Sequence, residues 1–221
     1  MKYLTNPEAL WKLVLLLLEG MGTTIQIFFF TLLFSLPLGL LIAFGRMSKR
    51  KWISKPVGFY ILLMRGTPLM LQIFAVYFIL PDLLGMNIGR MPSTIIAFSL
   101  NYAAYFAEIY RGGILSIEKG QYEAGKVLGF TNAQVFFRII LPQVAKRILL
   151  PTSNEVITLV KDTALATVIA VGELFRAAKN ETSRTASVEP LFIAALFYLA
   201  MNAVITEIFS YIGRKLDYYR A

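Results

Sequence analysis

The chain has 221 residues, 57% of them hydrophobic and only 16% charged, with a mean hydropathy of +0.64 and a formal net charge of +9. Soluble domains average about half apolar and a quarter charged, so this composition calls for a non-aqueous solvent. With no Cys and no His, the chain excludes disulfides, thiol nucleophiles, Cys/His metal sites and any Ser-His-Asp arrangement.

The first twenty residues carry a Lys, a leucine run and Glu19, with no small-residue cleavage site after them, so a removable signal peptide is not expected. Residues 7–18 read as an amphipathic helix lying at the interface and leading into a first span. A spanning helix needs roughly 20 mostly apolar residues, and only helices or closed barrels satisfy their backbone groups in lipid. Five candidates follow: 21–45, uncharged throughout; 57–80, interrupted only by Arg65; 92–109; 148–172, which is unusually polar; and 190–211. These runs show no barrel-like alternation. The predicted fold is an all-α membrane protein with about five transmembrane helices, forming a single transmembrane domain over residues 1–221.

The basic residues sit in short blocks between the spans, which points to membrane topology rather than to nucleic acid. Fourteen of them lie in the 46–55 loop, the 110–147 loop and the tail after residue 211; six lie on the opposite side. The positive-inside rule therefore places the N-terminus outside and the C-terminus in the cytoplasm.

Residues 110–147 do not resemble a disordered linker, because apolar residues recur at helical spacing. Residues 117–128 read as one short helix, with Gly129 set to end it in a left-handed cap. Thr131 opens a second helix through a capping box with Gln134, and Phe130 and Val135 occupy the positions of a hydrophobic staple. Pro142 is expected to end or kink that helix. The result is a cytoplasmic helical hairpin, either packed under the membrane domain or docking a partner.

Within this hairpin, Gln121-Tyr122-Glu123-Ala124-Gly125, then Gly129, then Ile139-Ile140-Leu141-Pro142 resemble the EAA loop of ABC-importer permeases. Arg65-Gly66-Thr67-Pro68, the stretch from Ala107 to Gly113 and Lys161-Asp162-Thr163 sharpen the resemblance to the polar amino acid permeases of the histidine, glutamine and cystine group. The resemblance implies a type I importer permease fold. It also implies that Glu123, Ala124, Gly125, Gly129, Leu141 and Pro142 couple to a separate ATPase, which would hold ATP and Mg while this chain binds no cofactor. Further implied partners are a second permease (the same chain or a sister), an extracytoplasmic solute-binding protein and the lipid of a bacterial inner membrane, with no nucleic acid. Gly125 departs from the pattern, which usually has a second alanine there; glycine costs about 0.8–1 kcal/mol of helix stability against alanine. Residues 172–176 and 182–185 look most like cystine permeases, and the tail at 216–220 looks more like glutamine-type ones. The substrate reading favours cystine, with glutamine or another polar or basic amino acid as the alternatives.

The fourth span concentrates polar groups. Glu155, Thr158 and Asp162 share one helical stripe, and Asn154 and Lys161 share the adjacent one. Charges inside a span are costly and mark function. The face is expected either to line a substrate path, with Asp162 taking an ammonium and Lys161 a carboxylate, or to form a buried polar network. Asn101 and Tyr105 would add lining from the third span. Arg65, Gly66 and Pro68 mark a kink that serves as a candidate gate or hinge, against simple snorkelling of Arg65 to the interface. Glu108 and Arg111 are spaced for an intrahelical pair. No catalytic or metal constellation is present, and no G-x-x-x-x-G-K-[ST] phosphate loop occurs, so any ATP hydrolysis belongs to another chain. The alternative class is an ion-coupled secondary transporter or channel.

Overall fold

The computed structural model describes Tyr3 and residues 5–216; the tail residues 217–220 that entered the substrate reading lie outside the described residues. Among the described residues all regular structure is helical.

Helix α1 (Pro7–Arg46) runs unbroken for 40 residues, capped by the Asn6 side chain, which accepts from the backbone N–H groups of Glu8 and Ala9. The predicted interfacial helix and first span are thus one rod of roughly 60 Å at 1.5 Å per residue. The Glu19-Gly20 junction does not break it. Glu19 is exposed, and Gly20 is buried against Leu174 and Ala177, where its missing side chain is needed for the close approach. Its buried stripe is mostly small: Gly20, Thr24, Thr31, Ser35, Gly39 and Ala43. Small residues let helix backbones approach in lipid, where no hydrophobic effect drives them together.

Helix α2 (Lys51–Gly66) and helix α3 (Leu69–Phe74) replace the straight second span. The chain turns by 109° between α2 and the Leu69–Leu84 segment, far more than a kink. Thr67 and Pro68 are extended at the break. A π-turn (Ala75–Ile79) joins α3 to helix α4 (Leu80–Leu84). A second π-turn (Phe136–Ile140) stands before helix α8 (Leu141–Asp162). Both precede a proline, Pro81 or Pro142, at the second position of the next helix. Proline lacks the N–H and its ring clashes with the i−4 carbonyl, and a wider turn relieves both problems. Of the two outcomes expected at Pro142, the helix does not end; a π-turn disturbs it and the helical path runs on from Asn132 to Asp162.

Helix α5 (Arg90–Leu115) is the centre of the bundle, packed against α1, α2, α3 and α8. It extends beyond the predicted 92–109 span because Glu108 and Arg111 neutralise each other within it. Phe98, Tyr102 and Phe106 of α5 meet Ile27, Ile73, Val156, Leu159 and Ile169 in the main core. The polar fourth span is α-helical only to Asp162 and continues as a 3-10 segment, Thr163–Ile169, closed by Ala170 in the left-handed region (φ 65°). Helix α9 (Leu174–Thr185) is a short amphipathic piece, capped by the fully buried Glu173. Helix α10 (Glu189–Leu216) supplies the fifth span. On length and apolarity alone, α1 and α10 qualify as membrane-crossing helices, and the bent α2–α4 pair makes a third. Helices α5 (26 residues) and α8 (22 residues) are long enough but less apolar; α5 is enclosed by its neighbours, whereas α8 keeps an exposed side.

The hairpin forms as predicted. Helix α6 (Lys119–Val127) ends at Gly129, whose φ of 78° suits only glycine well. Helix α7 (Asn132–Val135) opens with both capping-box bonds, Gln134 N–H to Thr131 Oγ1 at 3.3 Å and Thr131 N–H to Gln134 Oε1 at 2.9 Å. Phe130 and Val135 share one apolar cluster with Ile117, Ile140 and Val144. Gly125 does not loosen this element, contrary to the propensity argument. It is buried, and a Cβ there would stand 2.7 Å from Val135 Cγ2, so the glycine lets α6 lie against the second arm.

Candidate functional site: a polar cavity at the broken helix

The break after α2 opens a cavity of about 370 Å³ lined by Thr67, Pro68, Leu69, Asn101, Tyr102, Tyr105, Glu155, Thr158, Asp162 and Leu165. It joins three elements that are far apart in sequence: the α2–α3 break, the middle of α5 and the end of α8. The predicted stripe of Glu155, Thr158 and Asp162 faces it, together with Asn101 and Tyr105. Asn154 and Lys161 line no part of it and are exposed. At 100° per residue they sit one step round the helix from the lining stripe.

Several of the lining groups are held by specific partners. Asp162 Oδ2 accepts from the Tyr102 hydroxyl at 2.7 Å, which ties the end of α8 to α5. Asn101 Nδ2 donates both to the Met64 carbonyl and to Gln72 Oε1, each at 2.9 Å. Gln72 Nε2 in turn donates to the Met64 carbonyl at 2.9 Å and to Thr67 Oγ1 at 2.8 Å. The carbonyls freed by the break thus find side-chain donors, as irregular backbone at membrane depth requires. Arg65, at the end of α2, lies over the Tyr105 ring (5.1 Å to the centroid) and 4.0 Å from Glu108 Oε2. Its side chain is 43% exposed. The predicted Glu108–Arg111 pair is present and bidentate, at 2.7 and 3.0 Å.

Sequence reasoning did not find Tyr102, Gln72, Thr67 or Leu165 as cavity or clamp residues. Gln72 carried a usable signal, being a polar side chain within an apolar run. Tyr102 looked like one aromatic among many.

The hairpin presents a second candidate surface. Glu123, Ala124 and Gly129 are exposed, beside Val127 at 88% and Leu128 at 71% exposure. Leu141 and Phe137 of the second arm are also exposed, and Pro142 is half-buried. Gly125 alone among the predicted coupling residues faces inward. Arg147 donates to the Ser116 carbonyl and Gln143 Nε2 lies 3.3 Å from Gln121 Oε1, so the hairpin base is fastened.

The chain is similar to the L-cystine transport system permease protein TcyB of Bacillus subtilis (strain 168), with 38% identity covering 91% of this chain and 87% of that one. It is equally similar to the arginine transport system permease protein ArtQ of the same organism, with 39% identity covering 90% and 92%. Among solved structures, the crystal structure of an amino acid ABC transporter with histidines superposes with a TM-score of 0.85 at 33% identity, covering 95% of this chain and 98% of that chain. The model of the family described as "binding-protein-dependent transport system inner membrane component" matches residues 35–218. With most of its length matched, the chain belongs to that family of inner membrane transport components.

Proposed function

We propose that this chain is the transmembrane permease of an ATP-driven importer of polar amino acids, with cystine favoured over glutamine and basic amino acids. The observation that carries the reading is the cavity at the helix break, where two carboxylates, an amide and four hydroxyls converge inside an otherwise apolar bundle. Charged groups are expensive there and are retained for binding or passage. Asp162 and Glu155 offer a charge partner for a substrate ammonium, and Asn101, Thr158 and Tyr105 offer hydrogen bonds. Arg65, Gly66 and Pro68 form the hinge beside it. The exposed hairpin, with Glu123, Ala124, Gly129, Leu141 and Pro142, is the docking element for a separate ATPase that binds ATP and Mg. Gly125 supports that element from within.

The exposed surface supports the rest of the assembly. A chain with so few helices cannot enclose a path alone, and Asn154 and Lys161 lie on the exposed side of α8, where a second permease would close it. Exposed Phe29, Leu33, Leu41, Phe59, Leu62, Leu196 and Leu199 meet lipid or that second copy. The end carrying α9 faces outward toward a solute-binding protein, and the hairpin end faces the cytoplasm, with the C-terminus. The names of the relatives, cystine and arginine permeases at similar identity, support the amino-acid class without separating its members.

The test is uptake of labelled cystine, glutamine and arginine into proteoliposomes holding the permease, its ATPase and the binding protein. Asp162→Ala should abolish uptake while assembly and basal ATP hydrolysis stay within about twofold of wild type. Loss of assembly would instead make the polar cavity a structural network. Uptake driven by an ion gradient without the ATPase would favour the secondary transporter.

A further inference from the structure

The elbow between α1 and α2 carries Arg46, Lys49, Arg50, Lys51 and Lys55 within ten residues, all of them exposed. No acidic residue occurs from residue 20 to residue 81. Among the described residues none of the five cations forms an ion pair. Arg46 is occupied otherwise: its guanidinium lies against Gly58, and Nη1 reaches the Ser54 carbonyl at 3.4 Å. That leaves four like charges side by side with nothing of the chain to neutralise them.

The elbow stands where two membrane helices meet water, since α1 is a membrane-crossing helix by length and apolarity and α2 opens the bent pair. At 100° per residue Trp52, Lys55, Phe59 and Leu62 share one stripe of α2. Trp52 at 71%, Phe59 at 66% and Leu62 at 68% exposure are left uncovered by the rest of the chain. An exposed apolar stripe headed by a tryptophan and lysines is the pattern of a helix in lipid with its anchors at headgroup level. A basic cluster adjoining a membrane helix attracts anionic lipid. A second copy fits this end of α2 poorly, because a two-fold contact would set the same unneutralised cations against each other. This end is also lightly held. Among the described residues Ile61 is the one buried residue of α2, and its hydrogen bonds with α5, through Tyr60 and Met64, lie in its second half.

We propose that Lys49, Arg50, Lys51 and Lys55 bind the headgroups of anionic phospholipids, with Trp52 seated among the adjoining acyl chains, and that this contact anchors the free end of α2. The anchor stands at the opposite end of α2 from the 109° turn. Lipid composition then bears on how firmly the helix leading into the break is held, whatever crosses beside it.

The test uses the full-length chain with Trp11→Phe, which leaves Trp52 as its single tryptophan, in vesicles of phosphatidylglycerol and phosphatidylcholine. Brominated acyl chains quench a tryptophan only on contact, so brominating one lipid and then the other gives the relative affinity of the two at Trp52. One basic residue near an anionic lipid is worth roughly fivefold. A preference for phosphatidylglycerol of at least about fivefold is therefore expected, shrinking as salt rises from about 0.1 to about 1 M. Replacing all four cations by glutamine should bring it near unity while phosphatidylcholine still quenches, which shows that α2 keeps its place. Lys51→Gln or Lys55→Gln alone should lower it part-way, a graded readout that does not depend on the fourfold variant. Lys119→Gln with Lys126→Gln, on the hairpin, should leave it unchanged. No preference without these changes, a preference that survives the fourfold variant, or one lost equally in the hairpin variant overturns the lipid site. If neither lipid quenches Trp52, the proposal fails and the elbow is a surface for an acidic protein instead. Amides of residues 51–60 should exchange faster in pure phosphatidylcholine than in the mixture, and equal exchange overturns the anchoring.

Discussion

Consider replacing Gly125 by alanine. Helix propensity alone favours the change by about 0.8–1 kcal/mol, because α6 is a short helix with a glycine in its interior. Packing opposes it. The new Cβ would stand 2.7 Å from Val135 Cγ2 and 3.2 Å from Ile139 Cδ1, closer than carbon atoms tolerate. Val135 is 2% exposed and β-branched, so it has one favoured rotamer in a helix and no free volume to enter. Overpacking of this kind costs about 1–3 kcal/mol. The net effect runs from nearly neutral to a loss of about 2 kcal/mol, borne by the α6–α7 hairpin and not by the bundle. Hydrogen–deuterium exchange of the α6 amides in the solubilised complex reads this directly, since 2 kcal/mol corresponds to roughly 30-fold more opening. Gly125→Leu should exceed that and lower ATPase association as well. Slower α6 exchange in Gly125→Ala would refute the packing argument and restore the propensity one.

Other consequences are simpler. Asn101→Ala removes two hydrogen bonds from the broken helix, each worth about 0.5–1.5 kcal/mol, while the Met64 carbonyl keeps its Gln72 donor; amides across residues 63–74 should exchange faster while those of α10 are unchanged. Tyr102→Phe strips Asp162 of its 2.7 Å donor without altering core volume, so it should impair uptake more than it lowers the unfolding temperature; equal losses in both would make the bond merely structural. Ala170 holds a left-handed conformation that costs a non-glycine residue about 1–2 kcal/mol. Ala170→Gly should therefore raise the thermal unfolding midpoint by about 2–8 °C, and a fall would show that the turn is strained elsewhere.

What could be read without coordinates was local. The Thr131–Gln134 capping box, the left-handed Gly129 and the Glu108–Arg111 pair depend on residues within one turn of each other, and each has the geometry that its spacing dictates. The stripe of Glu155, Thr158 and Asp162 was legible for the same reason. The 109° turn was not. Gly66 and Pro68 announce a kink, but its extent is set by the clamp of Asn101 and Gln72 on the Met64 carbonyl, a contact across 37 residues. The continuity of α1 was hidden because Glu19 and Gly20 look like a boundary; only the approach of Leu174 explains the glycine. Pro142 announces a disturbance of the helix but not its form, a π-turn that lets the helical path continue. The role of Tyr102 depended on a partner 60 residues away and had no local signature.

The central claim is that this chain carries substrate for a separate ATPase docked on the α6–α7 hairpin. Mild purification of the tagged chain from its native membranes, with mass spectrometry of what accompanies it, tests that most directly. The account predicts a stoichiometric ATPase subunit that is lost when exposed Glu123 and Gly129 are substituted, with the α1–α10 bundle intact. A pure assembly without an ATPase, under conditions that preserve other membrane complexes, would contradict it and leave the hairpin a brace beneath an ion-coupled transporter.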